Sequence, residues 1–313
     1  MTRRRGEHGL TLVEVCVAMV ATTILGIVAM QTVRGLATSQ SFVEGQVRTR
    51  AIGERVMQAI QRDVAFSARI MQEDSAGRGL LAKMALADTP LEGSRMPQAS
   101  ALGYFERDPE GKVQAGNLLF ILRNEPPELV DLGGSVGIWR CTVYRFVCYY
   151  LTGHQEGLDI NRWASVRVVR LPDVQRLADE AQRQALVGAL GTKGIRYAWD
   201  PAAEEPESLF RFSPTSAPER LAAEARLPGA GRQAELRLLH ARRAAIAPNG
   251  ARAPLTVPCY ARPTATFPHG FELKVDGTGL GGLLLVRLAL VGTSRGGSDH
   301  RSLTERRLSF RDE

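Results

Sequence analysis

The sequence predicts an α+β fold, in which one long N-terminal helix precedes a set of antiparallel strands. Two patterns predict the helix: an apolar run of helical length at Leu10–Met30, and an apolar stripe with helical spacing after it. Beyond about residue 100 the pattern changes to short runs that are typical of strands. The chain of 313 residues is long enough for one large domain or two small ones.

The run Leu10–Met30 is long enough to cross a bilayer. A helix rises about 1.5 Å per residue, so roughly 20 residues span the hydrocarbon core. Three arginines at positions 3–5 precede the run, and the positive-inside rule places them in the cytoplasm and the rest of the chain outside. A cleaved secretory signal would end in a site of small residues, and no such site follows Met30. We therefore predict a membrane-spanning half of the helix at residues 10–33.

One ionisable residue, Glu14, interrupts the apolar run. An ionisable group inside a membrane costs about 2.5–3.5 kcal/mol or more, so it is usually functional and partnered. A plain signal anchor does not need this carboxylate. A twin-arginine signal would have apolar residues soon after the arginines, where Gly6-Glu7-His8 stand instead. Glu14 therefore separates this segment from the ordinary export signals.

The residues around Glu14 resemble a known processing site. Gly9-Leu10-Thr11-Leu12-Val13-Glu14-Val15 is similar to the prepilin peptidase site of type IV pilins and type II secretion pseudopilins. In that family a basic leader ends in glycine, cleavage follows the glycine, and the fifth mature residue is glutamate. The resemblance implies a leader at residues 1–9, cleavage between Gly9 and Leu10, N-methylation at Leu10, and an assembly role for Glu14 as the partner of a terminal amine. Leu10 replaces the usual phenylalanine, and Gln31 stands where many major pilins carry a proline.

The resemblance also implies a function, a location and partners. The later strands are similar to those of minor pilins of the PilW type and GspJ-like pseudopilins. The implied function is that of a structural minor subunit, which helps to prime type IV pilus assembly in a tip complex. It would sit in the inner membrane with its head in the periplasm, and later at the pilus tip. Its implied partners are the prepilin peptidase, other minor pilins, the major pilin and a tip adhesin. A minor pseudopilin of a type II secretion system is one alternative, and a membrane-anchored periplasmic enzyme or binding protein is an alternative of another class.

The second half of the helix is predicted at residues 34–72 and is amphipathic. Its apolar residues recur at spacings of mostly four: Val43, Val47, Ile52, Val56, Ile60, Val64 and Ala68. We expect this stripe to pack against a sheet, as in the pilin fold. Charged residues, Asp63 among them, are expected to fill much of the remaining helix surface.

Residues 73–313 are predicted to form a β-rich head. The predicted strands are Leu118–Leu122, Thr142–Leu151, Trp163–Leu171, Leu283–Val291 and Leu303–Phe310. The second and third would form a hairpin through a polar loop at Thr152–Arg162. The face predicted to cover the helix stripe carries Tyr144, Phe146, Cys148 and Tyr150. A partly helical insertion is expected at about residues 172–254, with helical pieces near Val174–Leu190 and Arg232–Ala247.

The cysteines favour a disulfide rather than a metal site. Cys141 and Cys148 are an odd number of residues apart on one predicted strand, so they should lie on opposite faces. In a periplasmic domain this favours a bridge from one of them to Cys259. The cysteine and histidine spacings do not suggest zinc, and no motif suggests catalysis or a cofactor. The net charge is +7, but the arginines are scattered among acids, so nucleic acid is not expected as a partner.

Overall fold

A computed structural model shows an α+β fold, as the sequence predicts, with one long N-terminal helix and mostly antiparallel sheets. The structure describes residues 11–100, 116–134, 136–154, 157–199, 209–213, 216–220, 226–229, 245–246, 252–253, 271–276, 282–293 and 299–310. The chain divides into two compact units, and each is described by itself. The first contains the described part of the long helix up to Arg48, with Thr293, Asp299 and His300, and the second contains the other described residues.

Four helices lie in the described residues, at α1 Leu12–Ala65, α2 Ser75–Ala82, α3 Leu171–Gln175 and α4 Glu180–Thr192. Helix α1 is continuous through 54 residues, but it ends before the predicted bound at residue 72. The Ser67 hydroxyl donates a hydrogen bond to the Val64 carbonyl at 2.8 Å as the helix ends. Residues Ser67–Ile70 then form a strand that pairs with the next long strand. Main-chain pairing in the sheet therefore replaces the last predicted turns of the helix.

The described strands run in the order β1 Ser67–Ile70, β2 Ala99–Ser100, β3 Leu119–Asp131, β4 Ile138–His154, β5 Gly157–Ala164, β6 Val168–Arg170, β7 Tyr197–Trp199, β8 Leu209–Ser213, β9 Ser216–Arg220, β10 Ala245–Ile246, β11 Arg252–Ala253, β12 Phe271–Asp276, β13 Gly282–Thr293 and β14 Asp299–Phe310. The largest sheet has the order β1-β3-β4-β6-β7-β8-β9, with β5 also paired to β4. A second sheet has the order β14-β13-β12-β2, and β10 pairs with β11 alone. Gly116, in the segment just before β3, and Leu273 of β12 exchange two main-chain hydrogen bonds, of 2.7 and 2.9 Å.

All five predicted strands contain observed strand residues, but the hairpin differs from its prediction. Strand β4 continues to His154 and β5 begins at Gly157, so most of the expected polar loop Thr152–Arg162 is strand. The predicted strand Trp163–Leu171 is wrong as a single element. It divides between β5 and β6, and Leu171 already begins α3.

The helix stripe packs as predicted from Ile52 onward, on a core that we call the stripe core. This core contains the buried residues Val56, Met57, Ile60 and Val64 of α1, Leu119 and Ile121 of β3, Val147, Tyr149 and Leu151 of β4, Ile160 and Ala164 of β5, and apolar residues of β12, β13 and β14. Val43 and Val47 are exposed, and Ala68 lies in β1 in another cluster. The second half of α1 is thus covered by residues from both larger sheets.

The predicted contact face of β4 is wrong. Tyr144, Phe146, Cys148 and Tyr150 lie in a second cluster, the aromatic core, with residues of α2 and of the segment after it, such as Met84 and Met96. The helix instead covers the opposite face, which carries Val147 and Tyr149. Both faces of β4 are buried, so the alternation of apolar residues does not indicate which face meets the helix.

The segment predicted as an insertion, at about residues 172–254, contributes the strands β7, β8 and β9 to the main sheet. Strand β7 pairs in parallel with β6, and α4 contributes Leu186 and Leu190 to a third cluster, the insertion core, with Cys141 and Val143. The first predicted helical piece, Val174–Leu190, covers part of α3 and most of α4. Most of the second, Arg232–Ala247, lies outside the described residues, and Ala245–Ile246 is a strand.

Candidate membrane anchor and assembly site

The first part of α1 is an apolar helix with exposed side chains. Its most apolar 18-residue window has a mean hydropathy of 2.3, and none of that window is buried. It is the one helix among the described residues that is long and apolar enough to cross a membrane. Exposed apolar surface of this extent is unfavourable in water, so the segment is suited to a bilayer or to contact with other apolar helices.

Threonine hydroxyls within this apolar segment are hydrogen-bonded inside the helix. Thr22 donates to the Ala18 carbonyl at 2.7 Å, and Thr23 donates to the Met19 carbonyl at 2.8 Å. Thr32 donates to the Val28 carbonyl at 2.9 Å in the same way. A polar group in hydrocarbon needs a partner within the protein, and these bonds supply one for each hydroxyl. The threonines are therefore compatible with a membrane environment.

The N-terminus of α1 is closed by a capping box formed by Thr11 and Glu14. The Thr11 amide and hydroxyl donate to Glu14 Oε2 at 2.9 and 3.0 Å, and the Glu14 amide donates to Thr11 Oγ1 at 3.3 Å. These reciprocal bonds satisfy donors that the first turn of a helix otherwise leaves open. They also place a carboxylate at the positive end of the helix dipole, where it is stabilising.

The capping box gives Glu14 a role that our sequence analysis missed. The pattern that signals it is the sequence T-x-x-E at Thr11–Glu14, directly before an apolar run. Both Thr11 donors reach Oε2, and no donor among the described residues reaches Oε1. Gly9 and Leu10, the predicted cleavage and methylation residues, lie outside the described residues. The arrangement thus combines a helix cap with a carboxylate that keeps one oxygen available for another donor.

A buried charged cluster fixes the second half of α1 to the main sheet. Asp63, expected on the surface, is fully buried and accepts a hydrogen bond from the Tyr149 hydroxyl at 2.6 Å. Arg162 donates to it through Nε at 2.8 Å and Nη2 at 3.2 Å, and Arg123 donates through Nη1 at 3.0 Å. One carboxylate of the helix therefore holds side chains from three strands, β3, β4 and β5.

The electrostatics of this cluster follow from its burial. Burial and the negative charge of Asp63 both raise the pKa of Tyr149, so its phenol stays protonated and donates. Burial opposes the charge of Arg162, but hydrogen bonding and attraction to Asp63 outweigh it and raise the pKa of Arg162. Asp63 lies seven residues after Val56 and one before Val64, so its position on the stripe was readable from the spacing.

The cysteines occupy two different buried sites. Cys141 lies in the insertion core and Cys148 in the aromatic core, so the two are on opposite faces of β4 as predicted. Both are free thiols, and burial raises the pKa of Cys141 to about 12 and also raises that of Cys148. Cys259 lies outside the described residues, so a bridge to it stays a prediction.

Within the part of the chain that the structure describes, no three His, Cys, Asp or Glu residues are grouped closely enough to hold a metal ion. The buried carboxylate of Asp173, at the start of α3, is used structurally. It accepts from the Thr142 amide at 2.7 Å and from Arg176 at 2.8 Å, and its carbonyl accepts from Trp139 Nε1. These bonds attach α3 to β4.

Comparison with known proteins identifies no relative: no protein-family model, curated protein or solved structure matches this chain.

Proposed function

We propose that this chain is a minor subunit of a type IV pilus, which helps to prime assembly within a complex of minor pilins at the tip. The main support is one continuous helix whose two parts have different surroundings. From Leu12 to Val33 it is largely apolar and exposed, and from Ile52 to Val64 it is packed on strands of a folded head. Such a helix can join a membrane or a bundle of similar helices at one end and present the head at the other.

The proposed orientation follows from charge. Arg3, Arg4 and Arg5 keep the leader in the cytoplasm, so the head is exported to the periplasm of the cell. The prepilin peptidase then cuts after Gly9, and Leu10 becomes the methylated N-terminus. The prepilin peptidase, other minor pilins, the major pilin and a tip adhesin are the proposed partners.

Glu14 is proposed to act in assembly through its charge. The capping box orients its carboxylate and uses Oε2, and Oε1 accepts from the terminal amine of a neighbouring subunit or of its own chain. A charge that leaves water is costly alone and tolerable when it is paired. Pairing therefore draws the helix from the bilayer into a bundle in one register.

The first experiment reads the mature N-terminus. The full chain is expressed with and without a prepilin peptidase and analysed by mass spectrometry. We expect a chain that begins with methylated Leu10 only when the peptidase is present. Gly9→Val should abolish cleavage, while the matched leader variant Gly6→Ala should be cut normally. An intact leader, or a cut beyond Met30, would refute the proposal.

A second experiment separates the charge of Glu14 from its capping function. Glu14→Gln keeps an oxygen that can accept from Thr11 but removes the charge, because glutamine also completes a capping box. Thr11→Ala removes the cap, at a cost of about 1 kcal/mol of helix stability, and keeps the charge. We expect both variants to be processed, and only Glu14→Gln to be lost from purified pili. Equal incorporation of Glu14→Gln and the unmodified chain would show that the charge is not used.

A further inference from the structure

A row of charged residues crosses the face of the main sheet between two apolar cores. On β4, Val147 and Tyr149 belong to the stripe core, and Cys141 and Val143 belong to the insertion core on the same face. Arg145 lies between the two pairs, and its register partner on β3 is Arg123. Like charges directly opposite each other on neighbouring strands are destabilising unless other groups compensate them. We call the surroundings of these two residues the Arg145 surface.

Acidic residues compensate this surface only in part. Glu125 lies 3.3 Å from Arg145 Nε and 3.9 Å from Arg123 Nε. Glu128 accepts from Arg167 at 2.5 Å and from Lys193 at 2.7 Å. Together with the Asp63 cluster, the described residues of the Arg145 surface contain the cations Arg123, Arg145, Arg162, Arg167 and Lys193 and the carboxylates Asp63, Glu125 and Glu128. The cations therefore exceed the carboxylates by two.

Arg145 is the cation for which this excess matters most. Its side chain is only 15% exposed. Burial lowers its pKa, Glu125 opposes this effect, and the nearby Arg123, Arg167 and Arg162 lower it further. A charge in such a position is unfavourable alone and gains most from an added anion, because water screens the attraction only weakly. The Arg145 surface would therefore be stabilised by an added anion, since the described residues do not balance its positive charge.

An exposed aromatic ring adjoins this charged row. Phe66, just after the end of α1, is 55% exposed, and the Arg123 guanidinium lies 5.8 Å from its ring centroid. Aromatic residues and arginine are the types that are enriched in protein interfaces and in their energetically dominant positions. Their combination indicates a surface that binds another protein rather than a free ion.

The interleaved acids argue against nucleic acid. A duplex carries a phosphate charge about every 1.7 Å of its axis and requires a continuous basic surface. Here Glu125 and Glu128 stand between the cations and would repel such a polyanion. One or two added carboxylates at Arg145 match the excess of two cations over carboxylates, whereas a polyanion exceeds it.

We infer that the Arg145 surface docks an acidic segment of another protein, whose carboxylate is held among Arg123, Arg145 and Arg167 while an apolar neighbour covers Phe66. The inference goes beyond the proposed function and does not depend on it, since an unprocessed chain presents the same surface. The partner is recognised by an Asp or Glu that lies next to an apolar residue.

The test is photo-crosslinking of the full chain in its own cells, with p-benzoylphenylalanine in place of Phe66. The crosslinked peptide is then sequenced by mass spectrometry. We expect the crosslink to capture one segment of a different protein. An Asp or Glu should lie within about three residues of the crosslinked position, because an extended chain spans roughly 3.3 Å per residue. Arg145→Gln should lower the yield by about tenfold or more, which corresponds to about 1.4 kcal/mol. Arg183→Gln, on the exposed surface of α4, is the matched control and should leave the yield unchanged.

Two further variants separate a loss of binding from a loss of folding. Arg167→Gln, at a more exposed position, should lower the yield several-fold even if Arg145→Gln destabilises the head, and thermal unfolding of each variant identifies such a loss of fold. Exchanging the charges, with Arg145→Glu and a lysine in place of the identified acid, should restore the crosslink. A partner segment without a carboxylate, a lipid, a nucleic acid, a second copy of this chain, or no crosslink would each overturn the inference. The cleavage experiment would be unaffected by any of these outcomes.

Discussion

Replacing Asp63 by alanine should destabilise the head more than any surface substitution. Asp63 is fully buried and accepts from three side chains, at 2.6 Å from Tyr149, 2.8 and 3.2 Å from Arg162, and 3.0 Å from Arg123. A hydrogen bond to a charged group contributes about 1.5–3 kcal/mol, so three such partners set an upper range of roughly 4.5–9 kcal/mol. The two arginines are 12% and 23% exposed and can recover some hydration. We therefore expect a loss of about 3–5 kcal/mol, as for other buried ion pairs that lose one partner.

The assay is urea unfolding of the full chain in mild detergent, followed by fluorescence of its three tryptophans, all of which lie in the described part of the head. The midpoint should fall without a change in slope, which identifies a change in stability rather than in compactness. Asp63→Asn, which keeps the shape and loses the charge, should lose less than Asp63→Ala. Glu180→Ala removes an exposed helical ion pair with Arg183 and should cost at most about 0.5 kcal/mol. A loss below about 1 kcal/mol for Asp63→Ala would refute the view that this cluster fixes the helix to the sheet.

Further predictions concern three other sites in the head. A Cβ on Gly53 would lie 3.1 Å from Thr304 Oγ1, so Gly53→Val should overpack this contact and lower the free energy of unfolding by about 1–3 kcal/mol in the same assay. Asp74 caps α2 by accepting from the Gly77 amide at 2.6 Å, so Asp74→Ala should cost about 1 kcal/mol, and an unchanged midpoint would contradict this role. Burial raises the pKa of Cys141 from 9.0 to about 12, so the unfolded chain loses this proton first as the pH rises. Its contribution to stability is complete below pH 9 and is lost towards pH 12, and Cys141→Ala should make unfolding less sensitive to pH in this window.

The sequence correctly predicted the elements whose signal lies within a few neighbouring residues, which are the long helix and most of the strands. The stripe from Ile52 to Val64 has a period that only a helix can place on one face, and it was predicted correctly. The strand runs were also found, because β-branched and aromatic residues between turn signals are typical of strands. The start of α1 at Leu12 is encoded in Thr11 and Glu14, although we interpreted Glu14 through its charge alone.

Features that depend on distant partners were not predictable in this way. The partners of Asp63 lie 60, 86 and 99 residues away in the sequence, so the spacing that places Asp63 on the stripe does not indicate which side chains hold it. The sequence also does not indicate which face of β4 contacts the helix, because Tyr149 and Tyr150 are both buried and each face is apolar. The parallel pairing of β7 with β6 arises from a helical crossover that the composition suggested to be a surface insertion.

The stripe core is completed by β14, the last strand to be synthesised, and this affects how the head folds. Glu54 of α1 pairs with Arg306 of β14 across 252 residues of sequence, and Leu308 and Phe310 of the same strand complete the core around the helix. At a synthesis rate of about 5–20 residues per second, this separation corresponds to a delay on the order of 10–50 s. During that time the apolar stripe exists without its final cover, and contacts so distant in sequence also form slowly. The newborn chain therefore has an interval in which a chaperone, or misplaced pairing with another chain, competes with β14 for the helix.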